Sequence, residues 1–311
     1  MAKRILYSIL TFFLVTIIIF VIFQLIPGNP VLNKIGLEPD PALEQLLMEK
    51  YGLDKPPLER YFDWIINLFQ LDMGESIRYG LPVNQLLLDR LPNTVGLAIF
   101  AFILVGIVGI PLGILAARFN KGGRGTLLNG ATQVGIAIPS FFLAMILILV
   151  FCIKLGWLPV NAFTTIDAGL LPFIRGLILP AVAVAFSGIS ITVRYVRNSM
   201  VEELNSDYVL AARNKGVSEK DILYKHVLRN AMIPIVTILG MIFVSIITGS
   251  IVVEQVFTIP GIGALLVTGI QNLDLPLVQG ICVYVSIVVI LAYLLLDILY
   301  MVIDPRIRIK E

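Results

Sequence analysis

The chain has 311 residues, of which 58% are hydrophobic and 14% charged, with a mean hydropathy of +0.94. A soluble domain is about a quarter charged, so this composition excludes a water-soluble globular fold and requires lipid as part of the solvent. The formal net charge of +2 gives no electrostatic basis for nucleic-acid binding, and Cys152 and Cys282 lie in apolar runs without CxxC spacing, which argues against a disulfide framework or a zinc site.

Lys3 and Arg4 precede the first apolar run, Ile5–Ile26. It is too long for a signal-peptide core, and no small-x-small cleavage site precedes Gly28, so it reads as a retained membrane span. The next segment is long and of mixed polarity. It predicts a helix over Pro41–Tyr51, with Asp40 as N-cap and Gly52 just past the end. A second helix is predicted over Leu58–Phe69, with Tyr61, Trp64, Ile65 and Leu68 on one face. Their aromatic and apolar residues are expected to lie too far from the spans to serve lipid packing alone.

Five more runs follow: Thr94–Ala117, Leu127–Ile153, Gly176–Val196, Ile233–Val256 and Leu277–Ile303. Each supplies the roughly 20 apolar residues that a helix needs to cross hydrocarbon. Pro111 predicts a kink in the second run, and Gly109 and Gly113 beside it form a GxxxG packing face. Asp297 is an acid inside the sixth run. Intramembrane acids are costly and are functional candidates by default. Asp297 lies two helical turns from Asp304, near the membrane interface, which favours a structural hydrogen bond or a pair with Arg194 or Arg197. His226 is the one histidine, so no catalytic triad or histidine metal cluster is available; it reads as a packing or solvated residue.

The short loops set orientation. Arg118, Lys121 and Arg124 share a loop without an acid, whereas Glu254–Pro276 holds acids and no cation. The positive-inside rule then puts both termini in the cytoplasm and the long segment after the first span outside. The chain divides into residues 1–26 (N-terminus and first span), 27–93 (external insertion), 94–303 (five-helix core, with a cytoplasmic loop over 198–232) and 304–311 (cytoplasmic tail). The expected fold is an all-α polytopic membrane protein with six transmembrane helices.

The charged stretch Asp207–Pro234, DYVLAARNKGVSEKDILYKHVLRNAMIP, separates the fourth and fifth runs. Asp207 suits the positive end of a helix dipole, and Arg213 and Lys215 its negative end, so the sequence predicts a short helix over Asp207–Lys215. Gly216 is expected to stop it at positive φ. Ser218, with Asp221 three residues on, is expected to cap the next helix. Ala211 and Ala212 are either ordinary helix formers or small residues that let a partner approach closely. No GxxxxGK[ST], HExxH or GxSxG motif occurs, so the chain has no Walker-type ATP site and no protease or esterase signature. The spans lack an ion-relay set and no internal repeat is visible, which disfavours a secondary carrier.

Six collinear segments carry a resemblance: LIPGNP at Leu25–Pro30, MGESIRYGLPVNQLLLDRLPNT at Met73–Thr94, DYVLAARNKG at Asp207–Gly216, HVLRNAMIP at His226–Pro234, IPGIGALL at Ile259–Leu266 and DPRIR at Asp304–Arg308. In order and placement they resemble the membrane permeases of dipeptide, oligopeptide and nickel ABC importers, and the long first external loop resembles their B-type partner. The resemblance implies a type I ABC-importer permease fold and a non-enzymatic transport subunit of a bacterial or archaeal cytoplasmic membrane. Expected partners are a homologous second permease, two ATPase subunits and an extracytoplasmic substrate-binding protein, with ATP and Mg bound by the ATPases and no cofactor on this chain. Asp207, Tyr208, Ala211, Ala212, Lys215, Gly216 and Ser218 match the family's ATPase-coupling loop. Leu210, His226 and Arg229 depart from its general form, where a glutamate, an isoleucine and a proline stand. The implied substrate is a di- or oligopeptide, with nickel chelates, glutathione and oligosaccharides as alternatives inside the family, and a carrier or channel without ATPases as the alternative outside it.

Overall fold

A backbone in hydrocarbon must satisfy its own polar groups, and a helix does so within one segment. The computed structural model describes residues 2–25, 41–119, 123–159 and 163–303, and these are almost wholly helical. The helices are α1 (Ala2–Leu25), α2 (Pro41–Lys50), α3 (Pro57–Phe69), α4 (Val83–Leu104), α5 (Ile110–Arg118), α6 (Gly123–Ala137), α7 (Ser140–Leu147), α8 (Leu170–Leu204), α9 (Asp207–Asn214), α10 (Glu219–Asp221), α11 (Leu228–Val256), α12 (Ile262–Gln271) and α13 (Leu275–Ile303). Single π-helical turns join α4 to α5, extend α7 and join α10 to α11. Asp40, the LIPGNP motif beyond Leu25 and the tail from Asp304 lie outside the described residues.

Among the described residues, five helical segments are long and apolar enough to cross a membrane, or six if one bent pair counts as a single span. That pair is the expected third span. It is not straight: it turns by 97° between Ala137 and Ser140. Pro139 causes the break, because it has no N–H to continue the ladder and adopts ψ 139°, outside the helical region. The second span begins earlier than its apolar run suggests, at Val83, and carries Pro92 within it. Pro111 does not break it. A π turn over Val105–Gly109 immediately precedes the proline, and the chain passes through as one continuous span.

Contacts divide the chain into two units. The first comprises residues 1–92 and 260–294. In it α3 packs against α1, with Ile65 and Leu68 buried beside Ile19 and Val283. The Tyr61 hydroxyl meets Thr16 Oγ1 at 3.1 Å, and its ring stands edge-on to Phe20 with centroids 5.3 Å apart. Thus Tyr61, Trp64, Ile65 and Leu68 do share a face, but the face lies against a membrane span, contrary to the expected separation. α2 closes at Gly52, φ 63°. The segment before α4 is tied to α2 by Lys50 and Glu75 at 2.9 Å, and to the α12–α13 turn by one carboxylate. Buried Asp274, between α12 and α13, accepts hydrogen bonds from Ser76 Oγ (2.5 Å), Ile77 N (3.1 Å) and Arg78 N (3.1 Å). Arg78 also donates to Asn272.

The second unit, residues 93–259 and 295–311, is built around α8. Here the GxxxG face packs as the sequence predicts. A Cβ on Gly113 would lie 2.5 Å from Val196 Cβ, and one on Gly109 would lie 2.9 Å from Thr192, so only glycine allows this approach of α5 to α8. Buried Glu254 accepts a hydrogen bond from Thr94 Oγ1 at 2.8 Å, which joins α11 to α4 within the apolar interior. Cys152 and Cys282 are both free thiols.

Candidate functional site

The segment between α8 and α11 forms the helix–glycine–helix corner that its sequence predicts. Asp207 opens α9, and the helix ends at Asn214. Gly216 then adopts φ 76°, and Val217 N–H returns to the Ala212 carbonyl at 3.2 Å. This left-handed step satisfies carbonyls that the helix end would otherwise leave free. A Cβ on Gly216 would meet nothing within 4 Å, so glycine is needed for its backbone conformation and not for space. Ser218 caps α10: its hydroxyl accepts from Asp221 N at 3.1 Å and reaches Asp221 Oδ2 at 2.8 Å.

The corner is anchored by its own small core. Val209, Ile222 and Val227 are fully buried with Val196, Met200 and Ala117, and Ala212 packs against this cluster. Helical geometry then fixes which residues face outward. Asp207, Leu210, Ala211 and Asn214 form the exposed face of α9, and Leu210 is 59% exposed. The alanine pair is therefore divided: Ala211 faces out, whereas Ala212 turns toward the loop's own core. Lys215, Gly216 and Ser218 line the exposed corner. Tyr208 donates from its hydroxyl to Glu203 Oε2 at 2.6 Å, tying α9 back to the end of α8. Burial, reinforced by that carboxylate, raises the phenol's pKa above its ordinary value.

Exposed ion pairs span the corner. Arg213 donates to both carboxylate oxygens of Glu219, at 2.8 and 3.2 Å, across Gly216. This bond pulls the Glu219 carboxyl below its usual range. Asp221 is lowered likewise, first by Lys225 at 2.6 Å and then by the Ser218 hydroxyl. Both acids are thus more acidic in the folded loop than in the unfolded chain. Their support is present at neutral pH and fades as pH falls through these depressed values.

A second feature lies in the same unit. A cavity of about 550 Å³ opens among α6, α7, α8 and α11. Apolar groups line much of it, with the hydroxyls of Ser140, Ser187, Ser245 and Tyr195 interspersed and Arg194 as its charged member. The sequence did not reveal this wall, because its residues come from segments far apart in the chain. The side chain of Asp297 lies outside the described residues, so its expected pairing with Arg194 or Arg197 is not part of this geometry. Among the described residues, no group of three or more His, Cys, Asp or Glu is arranged to hold a metal ion.

Residues 109–309 match the family described as binding-protein-dependent transport system inner membrane component, and residues 1–98 match that family's N-terminal region. The oligopeptide transport system permease protein AppB of Bacillus subtilis is 39% identical over 311 residues, covering 98% of each chain. The glutathione transport system permease protein GsiC of Escherichia coli is 37% identical over 308 residues, covering 99% of this chain and 98% of its own. Among solved structures, a chain of the MetNI methionine ABC transporter in inward-facing conformations superposes with a TM-score of 0.57 at 17% identity, over 71% of this chain and 97% of that one. At that identity the likeness bears on the fold alone. Full-length similarity, the family match over both halves and the multi-span helical architecture agree: this chain belongs to the family of inner-membrane components of binding-protein-dependent transport systems.

Proposed function

We propose that this chain is the membrane-spanning permease subunit of an ATP-driven importer of di- or oligopeptides. It pairs with a homologous permease, receives substrate from an extracytoplasmic binding protein, and is driven by two ATPase subunits. The relatives' full-length identity carries this reading, since the substrates in their names are oligopeptides, dipeptides and glutathione. Glutathione is itself a peptide-like substrate, which supports a short peptide chain as the substrate class.

The Asp207–Val227 corner is the docking element for an ATPase. Its support is geometric: an outward face of Asp207, Leu210, Ala211 and Asn214 backed by a rigid core, suited to insertion in a partner groove. Leu210 makes the centre of that face apolar. ATP and Mg belong to the ATPases. Nucleotide binding there biases a two-state permease pair through this contact. The cavity beside Ser187 and Ser245 forms part of the path wall.

Both termini are cytoplasmic in this reading. ATPase subunits are therefore expected to co-purify with the chain in detergent, and a Lys220→Cys variant should react with an impermeant thiol reagent only from the side on which they bind. A Tyr79→Cys variant should react only from the other side. Purification without ATPases, or labelling of both cysteines from one side, contradicts the proposal.

A further inference from the structure

We propose that α3 is a membrane-inserted helix whose second apolar stripe is solvated by the acyl chains of the bilayer, beside α1. At roughly 100° per residue, Tyr61, Trp64, Ile65 and Leu68 occupy one arc of this helix, and that arc is the one spent on α1. Leu58, Phe62, Ile66 and Phe69 occupy the adjoining arc, roughly 80° wide. They are 77%, 61%, 53% and 66% exposed. Glu59, Asp63 and Asn67 fill the remaining side. The apolar surface of α3 is thus about twice what α1 covers.

Contacts along the two helices fix the direction of α3. Arg60 Nη1 donates to Gln24 Oε1 at 3.3 Å, Tyr61 meets Thr16 and Phe20, and Phe69 stands 6.2 Å from the ring of Phe13. Moving from Arg60 to Phe69, the helix therefore descends alongside α1 from near its Leu25 end toward its middle. Val283 of α13, itself within an apolar run, shares the same packed cluster. α1 likewise carries an uncovered apolar side, on which Leu14, Ile17, Ile18 and Val21 are 48–57% exposed. α1 is a candidate span that the protein hardly buries, so lipid is the solvent of that side. The adjoining stripe of α3 lies at the same level and takes the same solvent. Glu59 and Asp63 lie on the flank that the Lys55 ammonium bridges at 3.8 and 2.7 Å, which leaves the lipid-facing arc free of charge.

Site-directed spin labels test this in the full-length chain, reconstituted with its co-purified subunits in phosphatidylcholine bilayers. Labels go on Phe62→Cys and Ile66→Cys, with Leu14→Cys as the lipid reference and Glu59→Cys as the aqueous reference, each in a Cys152→Ala, Cys282→Ala background. Positions 62 and 66 should collide with oxygen and shun a water-soluble nickel chelate, giving an accessibility ratio like that at 14 and well above that at 59. Access to the chelate equal to that at 59 would mean the stripe faces water. Exclusion of both probes would mean that a protein covers it. Either result overturns the proposal. All four label positions are on the surface, and the thermal unfolding of the Cys152→Ala, Cys282→Ala background is matched to wild type before labelling.

Discussion

An Ala211→Trp variant lowers ATPase-subunit retention and ATP-driven uptake by at least about tenfold, the scale of losing one interfacial hot spot. Thermal unfolding of the purified chain stays at the wild-type value, because Ala211 faces outward and touches none of the loop's own core. Ala212→Trp also uncouples, but by another route: Ala212 packs against the cluster of Val209 and Ile222, so an indole there disorders the corner itself. Gly216→Ala is mild, costing about 1–2 kcal/mol of left-handed strain with no clash. If Ala211→Trp keeps wild-type retention and uptake while Ala212→Trp does not, α9 supports the loop and does not touch the ATPase.

Asp274→Ala destabilises the first unit by about 3–5 kcal/mol. The carboxylate is wholly buried and is the shared acceptor for Ser76 Oγ, Ile77 N and Arg78 N. Truncation leaves those donors without their acceptor in a place that water does not reach, which costs more than the bonds themselves contribute. Asp274→Asn retains one carbonyl oxygen and loses about half as much. Limited proteolysis between Met73 and Pro82, together with thermal unfolding, reads this out. Equal protease resistance in wild type and Asp274→Ala would show that the segment is held by other contacts.

Asp274 also shows where sequence reasoning stops. Leu277 N, three residues on, is a local donor to it at 3.4 Å, whereas Ser76, Ile77 and Arg78 lie almost 200 residues away in the chain, and nothing in the sequence pairs them with it. What the sequence made legible was local or periodic. Apolar runs located the spans because a helix in lipid must be long and uncharged. The corner at Gly216 was legible because dipole, cap and stop signals are all adjacent in sequence. The bend in the third span was missed because Pro139 sits in a run that is apolar on average, and hydropathy registers length and not direction. The division of Ala211 from Ala212 needed to know which side of α9 meets Met200 and Val227, and only packing decides that. The Tyr61 face of α3 was read correctly as a face, while its neighbour α1 was not foreseen.

The most direct test of the central claim is ATP-driven release of a radiolabelled tripeptide from vesicles that hold this chain, its homologous permease and the ATPase subunits. The ATPases face the bath and receive ATP there, and the binding protein is enclosed with the peptide, so that import appears as release to the bath. Release should require ATP, the binding protein and an intact Asp207–Val227 corner, and should continue when ion gradients are collapsed. Release that proceeds without ATPase subunits, or that follows an imposed ion gradient in the absence of ATP, would contradict the proposed function.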